Sequence, residues 1–295
     1  MIEKLSDIYL FSDIDGTLGV SGKGIPERNR EAVARFVEKG GHFAIATGRT
    51  VDNARRFTGE IGINSPCILS NGCAVYDYGL EEYYFTSHLP EGAPRYLAEI
   101  LRDYPHIGAA AVNATDYCYI GERSQVKEVF KRSHTDFKLI QPEDFTSDYF
   151  KVLFAVPDEE CQTILQELSG RGYEGVYFVS SDTFYIEMLP VGASKGDAIR
   201  KLCKLKNIPI DHTIAIGDYY NDAELLKAAG FAVTVAEAPQ EIKALCDLYP
   251  ERVDSAQAIL VRRGFPEAAP YSGEEGWKQL CERDDIDLVY IVTPW

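Results

Sequence analysis

The sequence predicts an α/β protein: a parallel sheet flanked by helices, interrupted by an α+β insertion. Two patterns carry that expectation. Over roughly the first eighty residues, short apolar, β-prone runs alternate with helical stretches, the grammar of βαβ units. Between about residues 82 and 189 strand candidates outnumber helices, and the alternation then returns. A chain of 295 residues with 45% apolar content has material for more than one core-bearing unit. The expected division is a core from 1–82 and 190–245, an insertion over 83–189 and an extension over 246–295.

Taken in order, 8–12 reads as a buried strand, 27–38 as a helix stopped by Gly40-Gly41, 42–46 as a strand, 51–57 as a helix and 67–69 as a strand. The insertion offers strands at 83–85, 107–112, 117–120, 151–156, 175–179 and 184–188, with helices near 95–103, 125–131 and 159–168. Lys195 opens a further helix, with Ala198, Ile199, Leu202 and Leu205 at helical spacing. Strands at 213–216 and 231–235 and a helix at 239–245 complete the core. In the extension, helices are expected around 253–263 and 273–282, and a strand at 288–292.

Two acidic motifs end two of these strands. Phe11-Ser12-Asp13-Ile14-Asp15-Gly16-Thr17-Leu18 leaves the first, and Gly217-Asp218-Tyr219-Tyr220-Asn221-Asp222 leaves another about 200 residues later. Side chains alternate along an extended stretch, so Asp13 and Asp15 can lean about one site, with Gly16 supplying the tight departure. Carboxylates gathered at strand tips repel one another unless a hard cation lies between them, and Mg²⁺ takes such oxygen ligands octahedrally. A third strand ends in Thr47-Gly48-Arg49-Thr50 ahead of a helix, which sets a hydroxyl and backbone N–H groups at a turn suited to an anion. Lys195 in a first helical turn opposes the helix dipole, so its placement points to an anionic partner. Alone, a DxDG turn is equally an Asx-turn, and a lone helix lysine is more often solvated. In combination the motifs read as a magnesium-dependent phosphoryl-transfer site.

The order DxDGT, TGR, K, GDxxND resembles the haloacid dehalogenase-like hydrolases, in the branch of small-molecule phosphatases with a large α/β cap (Cof type, subfamily IIB). The likeness covers about residues 5–245 and includes Ser70-Asn71-Gly72. It implies a Rossmann-like parallel-sheet core with the α+β insertion as its cap. By position it implies Asp13 as the nucleophile that forms an aspartyl-phosphate, and Asp15 as general acid and then general base. Thr47 and Lys195 would hold the phosphoryl oxygens. Mg²⁺ would be bound by Asp13, Asp218 and the backbone carbonyl of Asp15, with Asp222 as a further metal candidate in the same loop. Asn221 and Asp222 complete that loop, either contacting phosphate or metal-bound water or orienting Lys195. Gly48, Arg49, Asn71 and Gly72 are further candidates around the substrate. Glu187 is either a contact to a polar substrate group or an exposed strand carboxylate. The expected substrate is a small phosphorylated metabolite such as a sugar phosphate; a phosphomutase would share the fold and the intermediate.

A net charge of −16 argues against nucleic acid and anionic membranes as partners. The site must therefore be locally positive through Mg²⁺, Lys195 and Arg49. No stretch reaches the length of a membrane span and the N-terminus lacks a signal-peptide core, so a cytoplasmic protein is expected. Seven cysteines without a CxxC pair read as reduced thiols, several of them in core strands or helices.

The stretch after about residue 245 resembles part of a second family, the NAD-dependent sugar oxidoreductases (Gfo/Idh/MocA type). There an acidic residue like Asp247 ends a strand and a segment like 285–294 forms a later one. The chain has no GxGxxG, the turn that lets backbone approach a pyrophosphate, so NAD or NADP binding no better than weak is expected. A natural fusion, a truncated or chimeric gene and a family-specific extension stand as alternatives.

Overall fold

The structure, a computed structural model, describes residues 4–20, 24–114, 116–121 and 137–249. The expected helix at 125–131 and the elements expected beyond residue 249 lie outside the described residues.

The apolar runs form a four-stranded parallel sheet. It consists of β1 (Tyr9–Ser12), β2 (His42–Ile45), β12 (Thr213–Ile216) and β13 (Phe231–Val233), numbered in chain order, with spatial order β13-β12-β1-β2. β1 lies at the centre and is buried almost throughout, as a strand covered on both faces must be. Both edges are extended. Thr47 N–H donates to the Ile68 carbonyl, which continues the sheet from β2 into β3 (Cys67–Leu69). At the other edge Leu248 bridges to Val233 in parallel, Asp247 N–H donates to the Ala232 carbonyl, and the Asp247 carboxylate accepts the Ala232 N–H at 3.0 Å. Residues 246–249, placed by sequence at the start of the extension, are thus hydrogen-bonded to the core.

Helix α1 (Glu27–Glu38) packs on β2 and on α2 (Val51–Ile61). Thr50 caps α2 by accepting the Asn53 N–H, and Gly62 ends it at φ 61°.

One strand departs from expectation. The 83–85 run belongs to β5 (Glu82–Thr86), which pairs with β4 (Ala74–Asp77), itself paired antiparallel with β3. This small sheet packs with the core, not with the insertion. β4 follows a turn so closely that only Ala74-Val75-Tyr76 marks it in sequence, and without β4 the partner of β5 was not visible.

The insertion after Thr86 builds a six-stranded sheet in the order β10-β11-β9-β6-β7-β8. Its strands are β6 (Gly108–Val112), β7 (Tyr117–Ile120), β8 (Phe137–Ile140), β9 (Lys151–Ala155), β10 (Val176–Asp182) and β11 (Tyr185–Pro190). Helices α3 (Ala93–Asp103) and α4 (Cys161–Gly170) bury Leu97, Ile100 and Ile164 with Phe154, Ile186 and Met188 in an apolar cluster separate from that of the main sheet. Two cores make two units, and the chain crosses between them near Thr86 and Pro190.

The chain then returns through α5 (Lys195–Lys206), which packs on α6 (Ala223–Ala228), and ends its described part with α7 (Gln240–Lys243) and the edge pairing of Asp247 and Leu248. A protein ended after Leu245 should therefore melt several degrees below one ended after Tyr249, because only the second retains the hydrogen bonds at the β13 edge. Thermal denaturation of the two truncations measures this.

Candidate active site

Three strand tips converge. Asp13 follows β1 directly, and its N–H donates to the Ile216 carbonyl at 2.8 Å, so the ladder with β12 carries it into place. The chain then turns through Gly16 at φ 88°. A Cβ there would lie 2.5 Å from Asp218 Oδ2, so both the conformation and the space require glycine. Thr17 Oγ1 donates to Asp218 Oδ1 at 2.6 Å and ties the two acidic motifs together.

Lys195 opens α5 behind a capping box, in which Ser194 and Asp197 satisfy each other's backbone N–H groups. Its ammonium, wholly buried, donates to Asp13 Oδ1 at 2.7 Å and to Asp222 Oδ1 at 2.6 Å. Asp222 Oδ2 accepts the N–H groups of Asp218 and Tyr219. Both oxygens of Asp222 are thereby engaged. Of the alternatives left by sequence, the geometry matches orientation of Lys195, whereas Asp13 Oδ2 and Asp218 Oδ2 accept no hydrogen bond among the described residues.

On the other side stands the turn after β2. Thr47 is buried, and its hydroxyl accepts the Arg49 N–H. Arg49 grips Asp15 in a fork, Nε to Oδ2 at 2.8 Å and Nη2 to Oδ1 at 2.7 Å, and its guanidinium lies over the Phe57 ring. Burial works against the Arg49 charge, but the bond to Asp15 prevails and raises its pKa. Expected as a substrate contact, Arg49 is here the partner of Asp15.

Asn71 follows Ser70, and both adopt left-handed φ, 49° and 56°. Adjacent non-glycine residues in this region carry strain that surrounding contacts must hold. Asn71 Nδ2 donates to Glu187 Oε2 at 2.8 Å, and Asn71 Oδ1 accepts from Asn221 Nδ2 at 3.2 Å. Gly72, expected near the substrate, meets a packing need. A Cβ on it would lie 2.2 Å from the Ser194 carbonyl oxygen, so only glycine lets the helix carrying Lys195 come this close.

Glu187 is not an exposed strand carboxylate; it is 3% exposed and paired with Lys151 at 2.6 Å. Sequence reasoning missed Lys151 and Thr17. A lysine inside the apolar run Phe150–Phe154 was the available signal, because a buried ammonium needs a partner.

Three carboxylates, Asp13, Asp218 and Asp222, present oxygens within 4.8 Å of one another. With Lys195 as the ammonium between two of them, the cluster carries a net charge of about minus two when all are ionised. Burial, and then Asp222, Asp218 and Asp15, raise the Asp13 pKa well above the ordinary range against the pull of Lys195. Burial, and then Asp222, push Asp218 up to about 7, against Thr17 and Lys195. An all-oxygen donor set with excess negative charge fits a hard divalent cation.

A family model for haloacid dehalogenase-like hydrolases matches residues 10–259. The chain belongs to this family. The hydrolase is 27% identical to YkrA of Bacillus subtilis, a protein with a provisional phosphatase name, over 83% of this chain and 92% of that one. Its fold is similar to that of the subclass IIB sugar phosphatase BT4131, with a TM-score of 0.71 at 21% identity, covering 87% of this chain and 99% of the other. The C-terminal fragment of the hydrolase is similar to something else. Over 56 residues it is 68% identical to a glycosyl hydrolase family 109 protein of Porphyromonas gingivalis, 19% of this chain and 12% of that relative's length. Among the described residues no helix is long and apolar enough to cross a membrane.

The Asp218 shift gives a signed expectation for the hydrolase in chelator. With a folded pKa of about 7 and an ordinary value near 3.8 when unfolded, the folded state binds the extra proton between those limits. Stability should therefore fall as pH rises from about 4 to about 7 and change little from this group above that. In Asp218→Asn, which retains an acceptor for Thr17, the decline should be shallower. Melting temperatures across pH for the two proteins make the comparison.

Proposed function

We propose that the hydrolase is a Mg²⁺-dependent phosphatase acting on a small phosphorylated metabolite, with a sugar phosphate as the leading class, through an aspartyl-phosphate on Asp13. The observation that carries this is the state of Asp13: one oxygen is pinned by buried Lys195 and the other is unengaged at a strand tip, two residues from a second carboxylate. The resemblance to YkrA and the fold shared with a sugar phosphatase support the substrate class. The charge of −16 disfavours nucleic acid.

In the first half-reaction Asp13 attacks phosphorus, the bond from phosphorus to the ester oxygen breaks, and Asp15 supplies the proton to the departing alcohol. In the second, water attacks the aspartyl-phosphate, Asp15 takes its proton, and Asp13 leaves as a carboxylate with inorganic phosphate as product. Lys195, the Thr47 hydroxyl and the Gly48 N–H hold the phosphoryl oxygens, and Asn221 borders them. Asp13 and Asp218, with the Asp15 carbonyl, would hold Mg²⁺, which supplies positive charge opposite the phosphoryl group. Positioned charge carries most of the acceleration, since phosphoryl transfer asks little covalent help beyond the nucleophile. Because Arg49 holds both Asp15 oxygens, at least one must be released and take up a proton from solvent before Asp15 can act as the acid in the first half-reaction.

Asp13→Asn should remain folded and lose turnover, whereas Asp15→Asn should still bind substrate with turnover lowered on the order of 10²–10⁴-fold. Phosphate release from a panel of phosphorylated metabolites reads both, and near-normal activity of the Asp13 variant would exclude the covalent route. The same assay should detect free phosphate without added bisphosphate; an isomerised sugar phosphate instead would identify a mutase.

Chelator should abolish activity and Mg²⁺ restore it. Ca²⁺ should inhibit, because its larger and looser coordination misplaces the nucleophile. Undiminished turnover in chelator would rule the cation out.

A further inference from the structure

Lys151 and Glu187 lie in the cap, on β9 and β11, neighbours in its sheet. Their side chains are almost wholly buried, and the ammonium meets Oε2 at 2.6 Å. The same two groups reach across to the core. Lys151 Nζ donates to the Gly48 carbonyl at 3.0 Å, and Glu187 Oε2 accepts the Asn71 amide at 2.8 Å. Asn71 in turn holds Asn221. One cap ion pair therefore touches the turn after β2, the strained Ser70-Asn71 turn and, through Asn71, the acidic loop Gly217–Asp222.

Resting on the phosphatase reading above, we propose that Lys151 and Glu187 are positioning residues. They form a latch, pre-assembled on the cap, that fixes the phosphate-holding turns when the cap is seated and releases them when it lifts. The division of charge makes such a latch reversible. Were the lysine on one unit and the glutamate on the other, opening would strand two desolvated charges. Here both travel with the cap as a pair, and each meets a neutral core group, Lys151 donating to the Gly48 carbonyl and Glu187 accepting from the Asn71 amide. Burial opposes the Lys151 charge, yet Glu187, Tyr117 and Cys73 together outweigh it and keep the pKa raised, so the ammonium stays charged.

The core side is built to receive the pair. Gly48 has no Cβ, and one placed there would stand 3.2 Å from the Asn71 amide, tighter than an ordinary contact. Asn71 sits in a left-handed conformation whose side chain is held by Glu187 from the cap and Asn221 from the core. With the cap lifted Asn71 loses one of these holds, and the turn carrying Thr47 loses the ammonium on Gly48. A seated cap thus completes the site from outside it, which ties turnover to closure.

The test uses the full chain in Mg²⁺ with p-nitrophenyl phosphate as probe, alongside amide hydrogen exchange at 47–49 and 70–72. Lys151→Met and Glu187→Met each leave a lone buried charge and should lose both stability and turnover. Lys151→Met/Glu187→Met removes both charges and should recover melting temperature, yet keep kcat at least tenfold below the parent and show faster exchange at 47–49 and 70–72. Lys151→Arg, which can still donate to both acceptors, should recover part of kcat. If the double variant has parental kcat and parental exchange at those turns, the pair is structural only and the proposal falls. If the parent releases no phosphate from this probe or from any metabolite in the panel, the phosphatase reading fails; the exchange comparison still decides whether the latch holds the turns.

Discussion

Lys195 lies between Asp13, from the first strand, and Asp222, from the loop after β12, and it is what allows two desolvated carboxylates to occupy neighbouring positions. The chain devotes a good deal of local structure to holding it there. A capping box sets the start of its helix, Gly72 lets a neighbouring turn pass against the Ser194 carbonyl, and Gly196 brings the same helix onto α6, where a Cβ would meet the Glu224 carbonyl at 2.1 Å. Removing a small residue's advantage at either glycine would displace the ammonium before it touched any reacting group.

Around that pair the site divides its charge by location. Asp13, Lys195 and Asp222 form a dry inner set, whereas Asp15 and Arg49 form an outer pair facing the cap, with Asp15 half exposed. The division suits the chemistry proposed for each aspartate. A nucleophile needs a fixed direction, which burial and Lys195 supply. A proton carrier needs access to the leaving oxygen and then to water, and a surface pair that can open provides it. The cap has an apolar centre of its own, while Phe150 and Leu189 from the insertion are buried in the cluster of the main sheet.

The parallel strands and both acidic motifs were legible in sequence because each is local: an apolar run, then a carboxylate, then a glycine. What was not legible depends on long-range contact. Glu187 and Lys151 look alike in sequence, single charges in or beside apolar strands, and only the pairing of β9 with β11 makes them partners. Asp222 was left between several roles because spacing cannot say which oxygen faces which amide; the structure gives its oxygens to two backbone N–H groups and Lys195. Gly72 was placed near the substrate because it sits in a motif, although its reason is a helix approaching from more than a hundred residues away. β4 went unseen because three apolar residues after a turn are too few to announce a strand, and its absence misassigned β5.

The edge beyond β13 shows how little a sheet asks of its outermost strand. The stretch similar to a glycosyl hydrolase family 109 protein runs for 56 residues within the C-terminal fragment, and only 46 residues follow Tyr249. That stretch must therefore begin inside the described core and include residues that pair with β13. A parallel edge needs backbone groups in register and one apolar side chain to cover the flank, and Leu248 with the Asp247 amide meets both needs. The Asp247 carboxylate, the acidic residue on which the oxidoreductase resemblance rests, is turned here to the Ala232 N–H. A segment that resembles one family can thus finish the sheet of another, because backbone pairing recognises geometry and not origin.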